Sequence, residues 1–334
     1  MRVLVTGGAG YVGSHAAREL VRRGHDVLIY DNLSTGHRSL ANGFELIVAD
    51  IEDRQALASA LRGADAVMHF AARACAGESM VAPRQYFQAN VQHALSMLDT
   101  VLDSGVRNFI FSSTCAVYGV PAIIPICEDT PREPINPYGA SKLFFEHALD
   151  AYSRAYGLRF VSLRYFNAAG ADESCETGEL HFPETHLIPI ALQAAAGMRS
   201  DIEVFGDDYP TRDGTCVRDY VHVSDLAEAH ALALHYLDSG GDSTALNLGT
   251  GSGYSVNEVL AVVEKVTQRE LPKRRGPRRV GDPPVLVAAP SRAQRLLQWR
   301  ASRSLEQMVQ SAWNWMQVSC RGGDRGPRGG ESAQ

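Results

Sequence analysis

The chain begins Met1-Arg2-Val3-Leu4-Val5-Thr6-Gly7-Gly8-Ala9-Gly10-Tyr11-Val12-Gly13. The apolar, β-branched run reads as a strand, the glycines as a turn, and residues 14–23 as a helix. That order is the start of a dinucleotide-binding unit. Gly7 permits the tight turn, Gly10 lets the backbone approach a pyrophosphate, and Gly13 lets the helix lie close to the sheet. Tyr11 and Val12 lie in the turn, and the free N–H groups and partial positive charge of the helix start would face the phosphates. The spacing is G-x-x-G-x-x-G rather than the commoner G-x-G-x-x-G. An ordinary strand-to-helix turn would look similar, so the motif needs company.

Company comes from the next strands. Residues 27–30 read as a second strand ending at Asp31-Asn32, and Asp31 lies 18 positions after Gly13. A carboxylate there would accept the adenosine ribose hydroxyls and repel a 2′-phosphate, favouring NAD over NADP. A solvated loop aspartate is the alternative. Residues 44–48 form a third strand closing at Asp50-Ile51, and residues 66–70 a fourth, ending in Phe70 before the small pair Ala71-Ala72. Small residues there suit close passage of a cofactor or simple packing. A long helix is expected over residues 83–103, carrying Asn90, and residues 109–111 lead into Ser112-Ser113-Thr114. Alternating strands and helices predict an α/β fold, a Rossmann-type doubly wound parallel sheet. Its site lies outside the carboxyl ends of the strands, where Asp31, Asp50, Phe70 and residues 112–114 converge.

Composition narrows the function classes. A chain of 334 residues with 45% hydrophobic content holds one large or two intimate α/β domains. Its net charge of −6 speaks against a nucleic-acid or anionic-membrane partner. No apolar stretch is long enough to span a bilayer, and no signal peptide is expected ahead of the first strand. Six scattered cysteines without a C-x-x-C pair indicate neither a disulfide framework nor a zinc site, and the 11 histidines show no metal-ligand spacing. A cytoplasmic setting is expected.

Residues 120–137 form a loop over the strand edge, residues 138–155 a helix and residues 159–164 a further strand. Beyond Tyr165 the pattern becomes irregular, with helices near residues 188–197, 225–237 and 305–318. The expected division is a NAD-binding domain over residues 1–165, to which later segments return, a smaller C-terminal substrate-binding region over residues 166–318, and a disordered Gly/Arg-rich tail over residues 319–334.

Tyr138 and Lys142 stand four apart at the start of a helix, on one face. A phenol of reference pKa about 10 needs roughly 4 kcal/mol to act as a base near neutrality. One cation about 6 Å away at an effective dielectric of about 20 supplies roughly 2.8 kcal/mol. Lys142 and a positive nicotinamide ring together are of the right size. A surface Tyr/Lys pair would have the same spacing.

The glycine turn, Asp31-Asn32, Ser112-Ser113-Thr114 with Val117-Tyr118-Gly119, and Tyr138-Gly139-Ala140-Ser141-Lys142 together resemble the extended short-chain dehydrogenase/reductase family. Arg164-Tyr165-Phe166-Asn167, Phe205-Gly206, Val217-Arg218-Asp219-Tyr220, Asn247-Leu248-Gly249 and Arg278-Arg279-Val280-Gly281-Asp282 extend the likeness. They match its NAD-dependent nucleotide-sugar epimerases to about residue 315. The resemblance implies reversible C4 inversion between UDP-galactose and UDP-glucose through a 4-keto sugar, with firmly held NAD. It makes Tyr138 the base, Lys142 the ribose-holding cation, and Thr114 the hydrogen-bonding partner of the reacting oxygen. It also places Ser112, Asn90, Tyr165 and Phe166 at the cofactor, and Asn167, His186, Phe205, Arg218, Arg279 and Asp282 on the UDP-sugar. Related dehydratases carry an acid pair directly after the Thr, and related decarboxylases a Glu. Cys115 and Ala116 stand there instead, which leaves oxidation and reduction at one carbon.

Some positions depart from the family pattern. Ala74 stands where some members have Lys, His186 where others have Asn, and Leu286 where some place Tyr against the sugar. Another UDP-sugar, an N-acetylhexosamine or a pentose, is the alternative substrate. A non-catalytic NAD-binding module is the alternative class. A homodimer is implied by resemblance, through helices beginning near Pro83 and Tyr138.

Overall fold

The structure is a computed structural model and describes residues 1–279 and 282–321. Its centre is a seven-stranded parallel sheet. Six strands come from the first half: β1 (Arg2–Thr6), β2 (Asp26–Asp31), β3 (Glu45–Val48), β4 (Ala66–His69), β5 (Asn108–Thr114) and β6 (Arg159–Tyr165). Short strands β7 (Asn167–Ala169), β8 (Ile202–Phe205), β9 (Val217–Arg218) and β10 (Tyr220–His222) follow outside the sheet. The chain then returns as β11 (Thr244–Leu248), which pairs with β6. The order is β11-β6-β5-β4-β1-β2-β3, so the crossovers diverge on either side of the β1–β4 boundary. That boundary is the crevice where such sheets bind ligands.

Strand periodicity divides the core. Val3 and Val5 face one side with α1 (Tyr11–Arg22), while Leu4 faces the other with Val67 and Phe109. Both sides are covered by helices, and for this reason the central strands read as continuous apolar runs. A third cluster, with Leu192, Val259 and Met308, holds the second region together. Among the described residues no helix is long and apolar enough to cross a membrane.

The helix expected over residues 83–103 is present, and it widens in its middle into a π-helical turn. After α2 (Arg54–Ala60) come α3 (Ala76–Val81) and α4 (Pro83–Phe87), then one π-helical turn (Gln88–His93), and only then α5 (Ala94–Asp103). Pro83 starts α4 as its first residue, and the wider turn seats Asn90 inside. The helix α6 (Pro137–Tyr156) is capped by Asn136, whose side chain accepts from Gly139 N, and ends at Gly157 in the left-handed region (φ +71°). The later helices are α7 (Leu187–Ala195), α8 (Val223–Asp238), α9 (Val256–Thr267), α10 (Ser291–Leu297) and α11 (Leu305–Arg321). The last runs beyond residue 318, where a tail was expected to begin, and residues 322–334 of that tail lie outside the described residues.

Candidate active site

The glycine turn sits at the carboxyl end of β1. A Cβ on Gly7 (φ +74°) would lie 2.4 Å from Ala71 N, and one on Gly13 2.3 Å from the Gly7 carbonyl oxygen. A Cβ on Gly10 would meet only that same oxygen, at 3.3 Å, so the space above Gly10 is open. Gly10 also begins α1 without any side-chain cap. An open, uncapped helix start is a cradle for a phosphate. Val12 is half-buried in the first turn. The Tyr11 ring is buried and its hydroxyl donates to the Gly170 carbonyl at 2.5 Å, tying the turn to the second region.

Asp31 closes β2 beside this cradle. Its Oδ2 accepts from Ala9 N at 2.9 Å and its Oδ1 from Leu33 N at 2.8 Å. Burial raises the Asp31 pKa, opposed by these two bonds. Each oxygen keeps a lone pair for a ribose hydroxyl. Asn32 Nδ2 donates to Asp50 Oδ2 at 2.7 Å, and the Tyr30 hydroxyl to the Asp50 carbonyl at 2.8 Å, while Ile51 packs into the core below. Phe70 N and Ala71 N both donate to the Thr6 carbonyl, which closes the end of β4 against β1, with Ala72 half-buried beyond. These residues fit an NAD-type dinucleotide, from an open phosphate turn to a ribose-facing carboxylate.

Asn90 is 3% exposed and its amide is fully engaged. Its Oδ1 accepts from Arg73 N (2.8 Å), and its Nδ2 donates to the Arg73 carbonyl (2.9 Å) and to Ser141 Oγ (3.0 Å). It therefore clips the loop after β4 to the helix that carries Tyr138 and Lys142.

At the end of β5, Lys142 Nζ donates to the Ser112 carbonyl at 2.9 Å and lies 4.9 Å from the Phe111 ring centroid. Ser112 Oγ and the Tyr165 hydroxyl are 2.6 Å apart. Burial pushes the Tyr138 phenol well above its ordinary value, with Tyr165 adding to it and the Thr114 hydroxyl pulling the other way. Burial also lowers Lys142 to about 7, opposed by Glu146 one turn along α6. Both shifts favour the neutral form of the group. The lowering of Tyr138 expected from Lys142 is thus not supplied by these side chains alone. Cys115 and Ala116 follow Thr114 in a short 3-10 turn, and no acid takes their place. The arrangement can exchange a proton with an alcohol oxygen.

In the second region, Arg218 pairs with Asp282, and Cys216 Sγ lies 3.7 Å from the same carboxylate. The Arg279 guanidinium lies 4.0 Å from the centre of the Phe205 ring. Asn167 N donates to the Asp219 carbonyl, leaving the Asn167 side chain without a protein bond among those described. Phe166 is buried with Cys115 and Leu286. His186 lies half-exposed at the start of α7, its Nδ1 2.7 Å from Glu179 Oε1.

Several residues that build the site had no role assigned from sequence. Glu146 and Arg164 form a buried ion pair at 2.6 Å, and Ser113 Oγ donates to Glu146 at 2.6 Å. The Tyr118 hydroxyl donates to Asn247 Oδ1 at 2.7 Å and accepts from Arg164 Nη1 at 2.8 Å. Asp219 accepts from Thr250 N, Thr250 Oγ1, Gly251 N and Ala288 N. Tyr118, Arg164, Asp219 and Asn247 stand in the motifs quoted above, and the four-residue step from Lys142 could have pointed to Glu146.

Fold and site together define a dinucleotide-dependent enzyme of the short-chain dehydrogenase/reductase type. The chain belongs to the NAD dependent epimerase/dehydratase family, which it matches over residues 3–249. It is 46% identical over 330 residues to the UDP-glucose 4-epimerase of Lacticaseibacillus casei, covering 97% of this chain and 100% of that one. It superposes on UDP-glucose 4-epimerase from Brucella ovis in complex with NAD, with TM-score 0.92 and 47% identity over 94% of this chain and 97% of that one. A second structure is UDP-glucose-4-epimerase from Stenotrophomonas maltophila with bound NAD and formylated UDP-arabinopyranose. It gives TM-score 0.93 and 42% identity over 96% of this chain and 99% of that one.

Proposed function

We propose that this chain catalyses the reversible C4 epimerisation of UDP-galactose and UDP-glucose through a 4-keto sugar, retaining its dinucleotide from one turnover to the next. The carrying observation is the end of β5. Thr114, Tyr138, Ser112 and Lys142 converge there, and Cys115-Ala116 offer no group for eliminating water or carbon dioxide. Bound NAD supplies the acceptor for the C4 hydride and the donor that returns it. Tyr138 takes the 4-hydroxyl proton and gives it back, Thr114 aligns the reacting oxygen, and Lys142 holds the nicotinamide ribose. Asn167, His186, Arg218 and Arg279 hold the diphosphate, Phe205 stacks on uracil, and Asp282 accepts from its ribose. For this, Arg279 leaves the face of Phe205 and the Arg218–Asp282 pair opens to share the ligand.

Leu286, 9% exposed beside Phe166 and Cys115, favours a second activity on sugars with an enlarged C2 substituent. A homodimer is supported by the exposed apolar side chains Met80, Val81, Phe87 and Phe144 on α3, α4 and α6, where the Phe87 and Phe144 rings lie 6.3 Å apart. A cytoplasmic setting is supported by the free thiols of Cys75, Cys115, Cys127, Cys175 and Cys216.

The test is product analysis with a panel of UDP-sugars and no added NAD. Interconversion of UDP-galactose and UDP-glucose is expected. No turnover of either sugar overturns the proposal, and no turnover of UDP-N-acetylgalactosamine removes the second activity.

A further inference from the structure

Eight residues before α7, the segment Glu179-x-His181-x-x-Glu184-x-His186 folds back on itself so that one ligand atom from each side chain lies within 4.8 Å of the others. His186 Nδ1 is 2.7 Å from Glu179 Oε1 and 3.0 Å from Glu184 Oε1. His181 Nδ1 is 3.0 Å from Glu179 Oε1 and 3.9 Å from Glu184 Oε2. In a tetrahedral site with bonds of about 2.0–2.1 Å, neighbouring donors are about 3.3–3.4 Å apart. With Oε2 as the Glu184 ligand atom, the three measured edges of 2.7, 3.0 and 3.9 Å straddle that value. We propose that Glu179, His181, Glu184 and His186 form a binding site for a divalent transition metal of the zinc class.

Donor chemistry selects the ion. Two imidazole nitrogens and two carboxylates suit a tetrahedral Zn²⁺ or Co²⁺, whereas Ca²⁺ and Mg²⁺ prefer larger shells built from oxygen. The charges balance, since two carboxylates neutralise one divalent ion. Both carboxylates are nearly buried, with side chains 8% and 6% exposed. Their salt-bridge partners among the described residues are these two histidines. One protonated imidazole would satisfy Glu179. The second, His181, turns to the same carboxylate oxygen, and a single bridging proton does not require it.

The donors are also held by an outer layer, as metal sites require. Glu184 Oε1 accepts from Thr185 N and His186 N, at 2.7 and 2.8 Å, which fixes the carboxylate and leaves Oε2 for the ion. The Glu179 carbonyl accepts from Trp315 Nε1 on α11 at 3.1 Å. The histidine side stays open, with His181 31% and His186 50% exposed, which gives an ion a way in. The His181 ring stands edge-on to Tyr11 with centroids 6.4 Å apart, so a bound ion would brace this segment against the glycine turn. His186 would bind the ion through Nδ1 and keep Nε2 for the proposed diphosphate contact, so the site does not depend on which sugar the enzyme turns over.

The experiment uses the full-length holoenzyme, freed of metal with a chelator, dialysed and titrated with Co²⁺. The intense visible bands of tetrahedral Co²⁺ are expected at one ion per chain, displaced by Zn²⁺. His181→Asn and Glu184→Gln are each expected to weaken Co²⁺ binding by about tenfold or more. His93→Asn, which alters the separate Asp50, Glu52 and His93 cluster, should leave it unchanged. Absence of the tetrahedral bands in the unsubstituted protein overturns the proposal, whether or not any variant folds. So does their persistence in both His181→Asn and Glu184→Gln, or their loss in His93→Asn alone. The readout is metal absorption, so loss of the proposed epimerase activity would not decide it.

Discussion

Arg164 reaches from β6 to grip Glu146 on α6, with Nε and Nη2 donating at 2.9 and 2.6 Å and both side chains 3% exposed. Through Ser113, Glu146 also holds the strand residue between Ser112 and Thr114, and it raises the pKa of Lys142 against the effect of burial. Removing one partner of a buried pair leaves the other charge uncompensated. Glu146→Ala is therefore expected to cost about 3–5 kcal/mol, read as a lower urea midpoint.

Tyr138→Phe keeps the ring between Tyr86 and the end of β5 and deletes only the hydroxyl. It is expected to retain NAD at the level of the unsubstituted protein and to lose about 10²–10⁴-fold in turnover of UDP-galactose. Unchanged turnover would remove Tyr138 as the base.

Gly10 and Gly13 separate folding from cofactor binding. Gly13→Ala drives a methyl into the Gly7 carbonyl oxygen, so about 1–3 kcal/mol of stability should be lost without any ligand present. Gly10→Ala meets little in the protein itself and should fold normally, yet copurify with less NAD. Urea unfolding and bound NAD per chain, measured on both variants, distinguish the two roles.

Four buried histidines set an acid limit. Burial lowers His69 to about 3 and His15, His222 and His230 to about 4. Below about pH 6.5 the unfolded chain takes up protons that the native chain refuses. Their contribution is fully present above about pH 6.5 and is lost as pH falls towards 4, by up to ~1.4 kcal/mol per pH unit for each histidine. Urea midpoints from pH 7 to 5 should fall accordingly, and His230→Met should flatten the decline.

Phe144 on α6 is 60% exposed in a single chain. If it lies in a dimer contact, Phe144→Glu should give monomers by sedimentation while the dinucleotide stays bound. A monomeric unsubstituted protein would contradict the proposed homodimer.

Much of the fold was legible locally, because its signals are local. The residues 1–13 carry the strand, the left-handed turn at Gly7 and the uncapped helix start in one short run. Alternation of strands and helices implied a parallel sheet, since parallel neighbours need crossovers. Tyr138 and Lys142 share a helix face by spacing alone. The wide turn inside the helix that starts at Pro83 was not legible, because residues 88–93 answer to Asn90 bonding Arg73 and Ser141, and Ser141 lies 51 positions away.

What the sequence by itself determined is the dinucleotide turn, the layered sheet and the chemical character of the Tyr138–Lys142 pair. What only the tertiary structure decided is the state in which those groups rest. Burial raises Tyr138 and lowers Lys142, and it makes the distant Glu146–Arg164 pair part of the site. It also gathers two histidines and two glutamates whose spacing in the chain had signalled no metal. Desolvation and convergence depend on what surrounds a group in space, and adjacency along the chain carries neither.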